Sequence, residues 1–222
     1  MGAAGVRRRG AGRCLVEGLA MLVLMAVAGC GSSAGPPVSV PAPSGGSLYQ
    51  AQVVRLPFPK PAGMFTDTKG TPFDLRKHTA GHPTLLYFGY THCPDVCPLT
   101  MASLGAAMNK LPQRQREDFR VVFITTDPHR DTPQRLHRWL RAFGRDFIGL
   151  TGSWQTIAQA AERLHVAAVK PKPTSSGDYR VTHGAQVFGF SPADNQAYLF
   201  PAETPARDFG HDLPLLAKGV RP

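Results

Sequence analysis

Tyr87–Phe88–Gly89–Tyr90–Thr91–His92–Cys93–Pro94–Asp95–Val96–Cys97–Pro98–Leu99–Thr100 is the stretch from which the rest of this chain is read. An apolar run over residues 84–90 breaks at a Cys-x-x-x-Cys bracketed by prolines, and a helix-like segment follows. Strand, reactive corner, helix is how an α/β protein presents chemistry at the carboxyl edge of its sheet. Thiols at a helix start feel the partial positive charge of unpaired backbone N–H groups, which favours thiolate. A thiolate is both the nucleophile of disulfide exchange and a soft ligand for a soft metal. A spacing of four places Cys93 and Cys97 on one face of a helical turn, close enough to form a disulfide or to pinch one ion. Pro94 suits a first helical turn, whereas Pro98 beyond it implies an irregular opening turn. A buried structural pair of thiols is the plain alternative, and the proline bracketing and strand-end position argue against it.

Working outward, the globular domain starts near residue 48. Residues 52–56 read as a short strand, and 64–65 with 72–75 as a hairpin around Lys69–Gly70. The run ending at Tyr90 has the pattern of a strand buried on both faces. Residues 98–111 read as a helix with Leu104, Ala107, Met108 and Leu111 as its core stripe, ended by Pro112. Residues 120–125 form a second buried strand that stops at Thr126–Asp127–Pro128–His129–Arg130–Asp131–Thr132–Pro133. Thr132 as cap with Pro133 at the first helical position starts a helix faced by Leu136, Trp139, Leu140 and Phe143. A strand over 147–150 follows, then a helix capped by Ser153 or Thr151 with Ile157, Ala160, Ala161 and Leu164 inside. After a polar insertion over 167–182, strands at 185–190 and 196–200 run antiparallel, and a helix over 208–217 closes the chain. Strand–helix–strand–helix followed by hairpin and helix is the thioredoxin-like order, an α/β fold with a central mixed sheet, here with an N-terminal hairpin extension.

Length, 222 residues, suits one well-cored domain after a processed leader. The formal net charge is +10, but Arg7, Arg8, Arg9 and Arg13 against Glu17 lie in residues 1–29, leaving +7 for the rest. That excess is scattered, much of it Arg between 114 and 145, with no aromatic-interleaved basic groove, so nucleic-acid binding is set aside. The triple Arg followed by the apolar run 19–28 is a charged region and a hydrophobic core too short to span a bilayer. It ends Val27–Ala28–Gly29–Cys30, which resembles a bacterial lipoprotein signal with Cys30 as the lipidated new N-terminus. The expected organisation is therefore a signal peptide over 1–29, a flexible Gly/Ser/Pro tether over 30–47 and a single domain over 48–222. The domain would be held at the extracytoplasmic face of the bacterial cell membrane. Cys93 and Cys97 are then the only thiols of the domain, too few for a stapling framework and suited to a reactive or metal-binding pair.

A two-thiolate site wants a third ligand, and His183 is the best placed. It lies between the insertion and the next strand, a junction that in a thioredoxin-like fold faces the N-terminus of the first helix. Two soft sulfurs and one imidazole suit Cu(I) in a three-coordinate site, or Cu(II) with a weak extra ligand; zinc would want a fourth strong one. His92 alternates away from Cys93 if the strand continues. His78 and His82 read as loop residues, and His129, His137, His165 and His211 as surface histidines on turns and helices.

The quoted stretch, the Thr126–Pro133 segment and Tyr179–Arg180–Val181–Thr182–His183 together resemble the Sco/SenC family of copper-binding assembly factors for cytochrome c oxidase, over about residues 67–217. The resemblance implies a membrane-tethered thioredoxin-like domain with copper on Cys93, Cys97 and His183. It also implies the oxidase's copper-binding subunit as acceptor and an upstream periplasmic donor. Thr182 and Gly184 stand where the family usually has an acid and a hydroxyl residue. The competing function is a thiol–disulfide reductase in which Cys93 attacks and Cys97 resolves. A thiol peroxidase would need a hydroxyl and an arginine about one thiolate; Thr91 with Arg141 or Arg145 are nominal candidates without a recognisable arrangement.

Overall fold

A computed structural model describes residues 47–175, 179–193 and 197–222. The leader and Cys30 lie outside the described residues, as does nearly all of the tether. The order is β1 (Val54–Leu56), β2 (Met64–Asp67), β3 (Pro72–Asp74), α1 (Leu75–Thr79), β4 (Thr84–Gly89), α2 (Val96–Lys110), α3 (Gln113–Asp118) and β5 (Arg120–Thr125). It continues with α4 (Pro133–Leu140), β6 (Ile148–Thr151), α5 (Trp154–Arg163), β7 (Val187–Phe190), β8 (Ala197–Phe200) and α6 (Ala206–Ala217).

Among the described residues eight strands join one sheet in the order β1-β8-β7-β4-β5-β6-β2-β3. β4, β5 and β6 are parallel and every other pairing is antiparallel. Every residue of β4 is buried, as a near-continuous apolar run in a strand covered on both faces requires. Alternation splits its side chains between two cores. Leu85 and Tyr87 join the cluster under α2, α4 and α6, whereas Leu86 and Phe88 join the cluster under α1 and α5. The mixed sheet flanked by helices is the thioredoxin-like arrangement expected, with the β2–β3 hairpin added beyond β6.

Three details differ from the expectation. α2 begins at Val96, so Pro98 occupies the third helical position, where its missing N–H had no partner to lose. α1 follows β3 directly, started by Asp74, whose carboxylate accepts from the Lys77 N–H. α3 continues the chain after Pro112 as a short exposed turn of helix with no buried residue, so no apolar period announced it.

Candidate metal centre

β4 ends at Gly89, and the chain turns over Tyr90–Cys93, where the Cys93 N–H donates to the Tyr90 carbonyl at 3.1 Å. α2 then carries Cys97 in its first turn, fully buried. Space for that sulfur comes from the strand: a β-carbon on Gly89 would stand 2.8 Å from Cys97 Sγ. Glycine is the one residue that lets the strand end this close to the thiol. From the same face of β4 the Tyr87 hydroxyl donates to Cys97 Sγ at 3.6 Å. The turn before Cys93 is pinned by buried Asp131, which accepts from the Thr91 N–H (3.0 Å), the Thr91 hydroxyl (2.6 Å) and the Thr125 hydroxyl (2.6 Å).

His183 arrives from the far side of the sequence. The 167–182 insertion is closed at its base by an isolated antiparallel bridge between Ala168 and His183, with Gly184 N–H donating to the Ala167 carbonyl at 3.0 Å. The His183 Nδ1–H donates to the Gly184 carbonyl at 2.8 Å; because a carbonyl only accepts, the proton belongs to Nδ1 and the Nε2 lone pair is left for the thiols. Nε2 lies 3.4 Å from Cys97 Sγ. The rings of Tyr90 and Tyr87 meet the imidazole edge-on, with centroids 5.5 and 6.2 Å away.

The donor atoms of Cys93, Cys97 and His183 all lie within 4.8 Å of one another. Both cysteines are free thiols, and their environments separate them. Cys93 is held well below the ordinary thiol range, chiefly because the Cys97 thiol donates to it, with further help from the backbone N–H groups of Asp95 and Cys97. Cys97 is pushed up, first by burial and then by the Cys93 sulfur beside it. One thiolate, one thiol that keeps its proton until a metal displaces it and one imidazole lone pair make a soft, three-donor set with no carboxylate in it. Such a set suits a copper ion of low coordination number better than zinc, which would lack its fourth ligand.

A family profile described as SCO1/SenC matches residues 61–217. The chain belongs to the SCO1/SenC family. It is 36% identical over 160 residues to the protein named SCO1 homolog 1, mitochondrial, of Arabidopsis thaliana, spanning 68% of this chain but only 46% of that relative. It is also 36% identical over 142 residues to a putative copper-binding protein of Stutzerimonas stutzeri, covering 63% of this chain and 69% of the relative. Among solved structures, copper-bound ScoI of Bradyrhizobium japonicum superposes with a TM-score of 0.62 at 30% identity, over 70% of this chain and 97% of that one.

Thr182, which departs from the family pattern, contributes its backbone: its carbonyl accepts from the Val169 N–H at 3.3 Å. A backbone carbonyl, that of Gly184, does the work of orienting the ring. His92 stays outside the donor cluster, 3.9 Å from an Asp131 oxygen. His78 lies within α1 rather than in a loop, and His82 sits on a loop with its ring against the Asp118 carbonyl. Thr91 is occupied by Asp131 and by the Nε–H of Arg135 (3.0 Å), whereas Arg145 lines a separate 330 Å³ cavity beside Phe143. Tyr87, Tyr90, Asp131, Arg130 and Tyr179 also surround the site, and no motif spacing in the sequence marks them as part of it. Alternation along β4 was the one signal that could have placed Tyr87 and Gly89 on the thiol side.

Proposed function

We propose that this chain is a membrane-anchored copper metallochaperone that hands copper to the binuclear copper site in the copper-binding subunit of cytochrome c oxidase. The meeting of two sulfurs and one imidazole within 4.8 Å carries the reading. The copper named in the S. stutzeri relative and bound in the B. japonicum neighbour supports it. Copper is the cargo. An acceptor thiolate displaces one donor ligand at a time, the released ligand taking up a proton, so the ion changes partners without changing oxidation state. Of the two thiols Cys93 is the better able to meet an acceptor, being 9% exposed where Cys97 is fully buried. Lipidation at Cys30 and a Gly/Ser/Pro tether would keep the domain at the extracytoplasmic membrane face, within reach of acceptor and upstream donor. Among the described residues no helix is long and apolar enough to cross a membrane.

Equilibrium dialysis of the reduced chain against Cu(I) is expected to give one copper per chain, with His183→Ala weakening the affinity about tenfold or more. Unchanged stoichiometry and affinity in that variant would discard the ligand assignment. Cys30→Ser is expected to shift the protein from the membrane to the soluble fraction of producing cells; unchanged partition would discard the anchor.

A second reading is favoured by the split between the two thiols. The Cys93 thiolate attacks an acceptor disulfide and releases one acceptor thiolate; Cys97 then gives up its proton and attacks Cys93 Sγ, releasing the second. Two electrons pass to the acceptor, Cys93–Cys97 is left as a disulfide, and an external thiol reductant restores it. This route needs both cysteines but not His183. Equal loss of oxidase assembly in His183→Ala and Cys97→Ser strains favours copper transfer; selective survival of the histidine variant favours reduction.

A further inference from the structure

We infer that Asp127, Arg130 and Tyr179 form a clamp that sets His183 against the thiols before any metal arrives; the inference rests on the copper-binding reading above. His183 is 86 residues from Cys97 in sequence and terminates an insertion whose described residues form no helix and little strand. Ordering such a segment costs conformational entropy, and a ligand ordered only at the moment of binding lowers affinity by that cost. Something must therefore hold the segment in place beforehand.

The clamp's base is the end of β5. Asp127 is fully buried, with its N–H donating to the Thr125 hydroxyl at 2.9 Å. One carboxylate oxygen pairs with Arg130 Nε, and the other accepts from the Tyr179 hydroxyl at 2.8 Å. Arg130 Nη2 donates to the Tyr179 carbonyl at 2.9 Å, while its guanidinium lies over the Tyr179 ring, 3.6 Å from the centroid. One ion pair thus grips Tyr179 by its phenol, its ring face and its backbone. Tyr179 is four residues before His183, at most about 14 Å of extended chain. Between them Val181 is buried. Tyr90 lies 5.8 Å from Arg130 and edge-on to the His183 ring. Arg130 thus reaches the imidazole through the ring of Tyr90.

A flat, forked cation fits this job and an ammonium does not, because the stack and the two directed donors need the planar group. Arg130→Lys and Tyr179→Phe, in the reduced full chain, are the test. Arg130→Lys is expected to raise the Cu(I) dissociation constant about 10- to 100-fold, the range for losing a group that orients a ligand. In the metal-free protein the Val169 and Gly184 amides are expected to exchange hydrogen faster while those of β4 and β5 keep their protection. Tyr179→Phe, which loses one oxygen, is expected to move both readouts the same way by less, and decides the matter if Arg130→Lys fails to fold. Exchange at Val169 and Gly184 equal to that of the unsubstituted chain, or an unchanged dissociation constant, overturns the clamp. An unsubstituted chain that takes up no Cu(I) sinks the copper reading instead, and the exchange measurement then judges the clamp alone.

Discussion

At the scale of single residues, the site depends on one missing side chain and one well-supplied sulfur. Gly89 has no β-carbon, so Cys97 can be buried against the strand end instead of being pushed outward. Cys93 collects the donors at the helix start and keeps its charge at neutral pH. The pH profile follows from the direction of that shift. A thiol held low is already thiolate above its folded pKa, so its alkylation by iodoacetamide is expected to be nearly flat from pH 7 down to pH 5. The rate should fall only as the pH approaches about 4, where the sulfur protonates. Cys97, buried and pushed the other way, is expected to stay unmodified over the same range. Peptide mass mapping checks both; a rate at Cys93 that climbs steadily from pH 6 to pH 9 would mean an ordinary thiol.

At the scale of elements, α2 bears the site at one end and the core along its length. The stripe read from its period, Leu104, Ala107, Met108 and Leu111, is buried, and Leu99 on the other side is 60% exposed. Leu104→Ala is expected to cost about 2–5 kcal/mol and Leu99→Ala no more than about 0.5 kcal/mol by urea titration. Gly105 is a sharper case. Alanine in a helix interior ordinarily gains about 1 kcal/mol over glycine. Here a β-carbon would stand 2.3 Å from the Phe143 backbone carbonyl, where nothing flexible can yield. Gly105→Ala is therefore expected to destabilise by about 1–3 kcal/mol, and a gain in the same titration would show that α2 and the segment after α4 pack less closely than described. Such a contact is not written in the helical period of either segment, and neither were α1 and α3. α1 has five residues and α3 has six, too few for an amphipathic pattern to emerge.

At the scale of the whole molecule, the start of the domain is fastened to its last helix. Buried Asp212 of α6 accepts from the backbone N–H of Gln50 (2.7 Å) and Ala51 (2.9 Å), and the Tyr49 hydroxyl donates to the Val220 carbonyl at 2.6 Å. The segment entering the domain is thereby held before it reaches β1 at the sheet edge. Asp212→Ala leaves those donors unpaired; it is expected to cost about 1–3 kcal/mol and to open residues 47–56 to limited proteolysis, with cleavage there at the parental rate counting against the fastening. The long-period elements, the buried parallel strands and the thiol pair could all be read along the chain, because each is dictated by spacing between near neighbours. The same holds for the three-donor set once the fold order was recognised, since a thioredoxin-like order brings the junction before β7 to the start of α2. What only folding decided are relations between residues far apart in sequence: Gly89 beneath Cys97, the Gly184 carbonyl choosing the imidazole tautomer, Asp131 holding the Cys93 turn, and Asp127 with Arg130 gripping Tyr179. A linear pattern records the polarity and period of each segment but not which two surfaces are pressed together. Those contacts come into being only when the strands pair and the helices close over them.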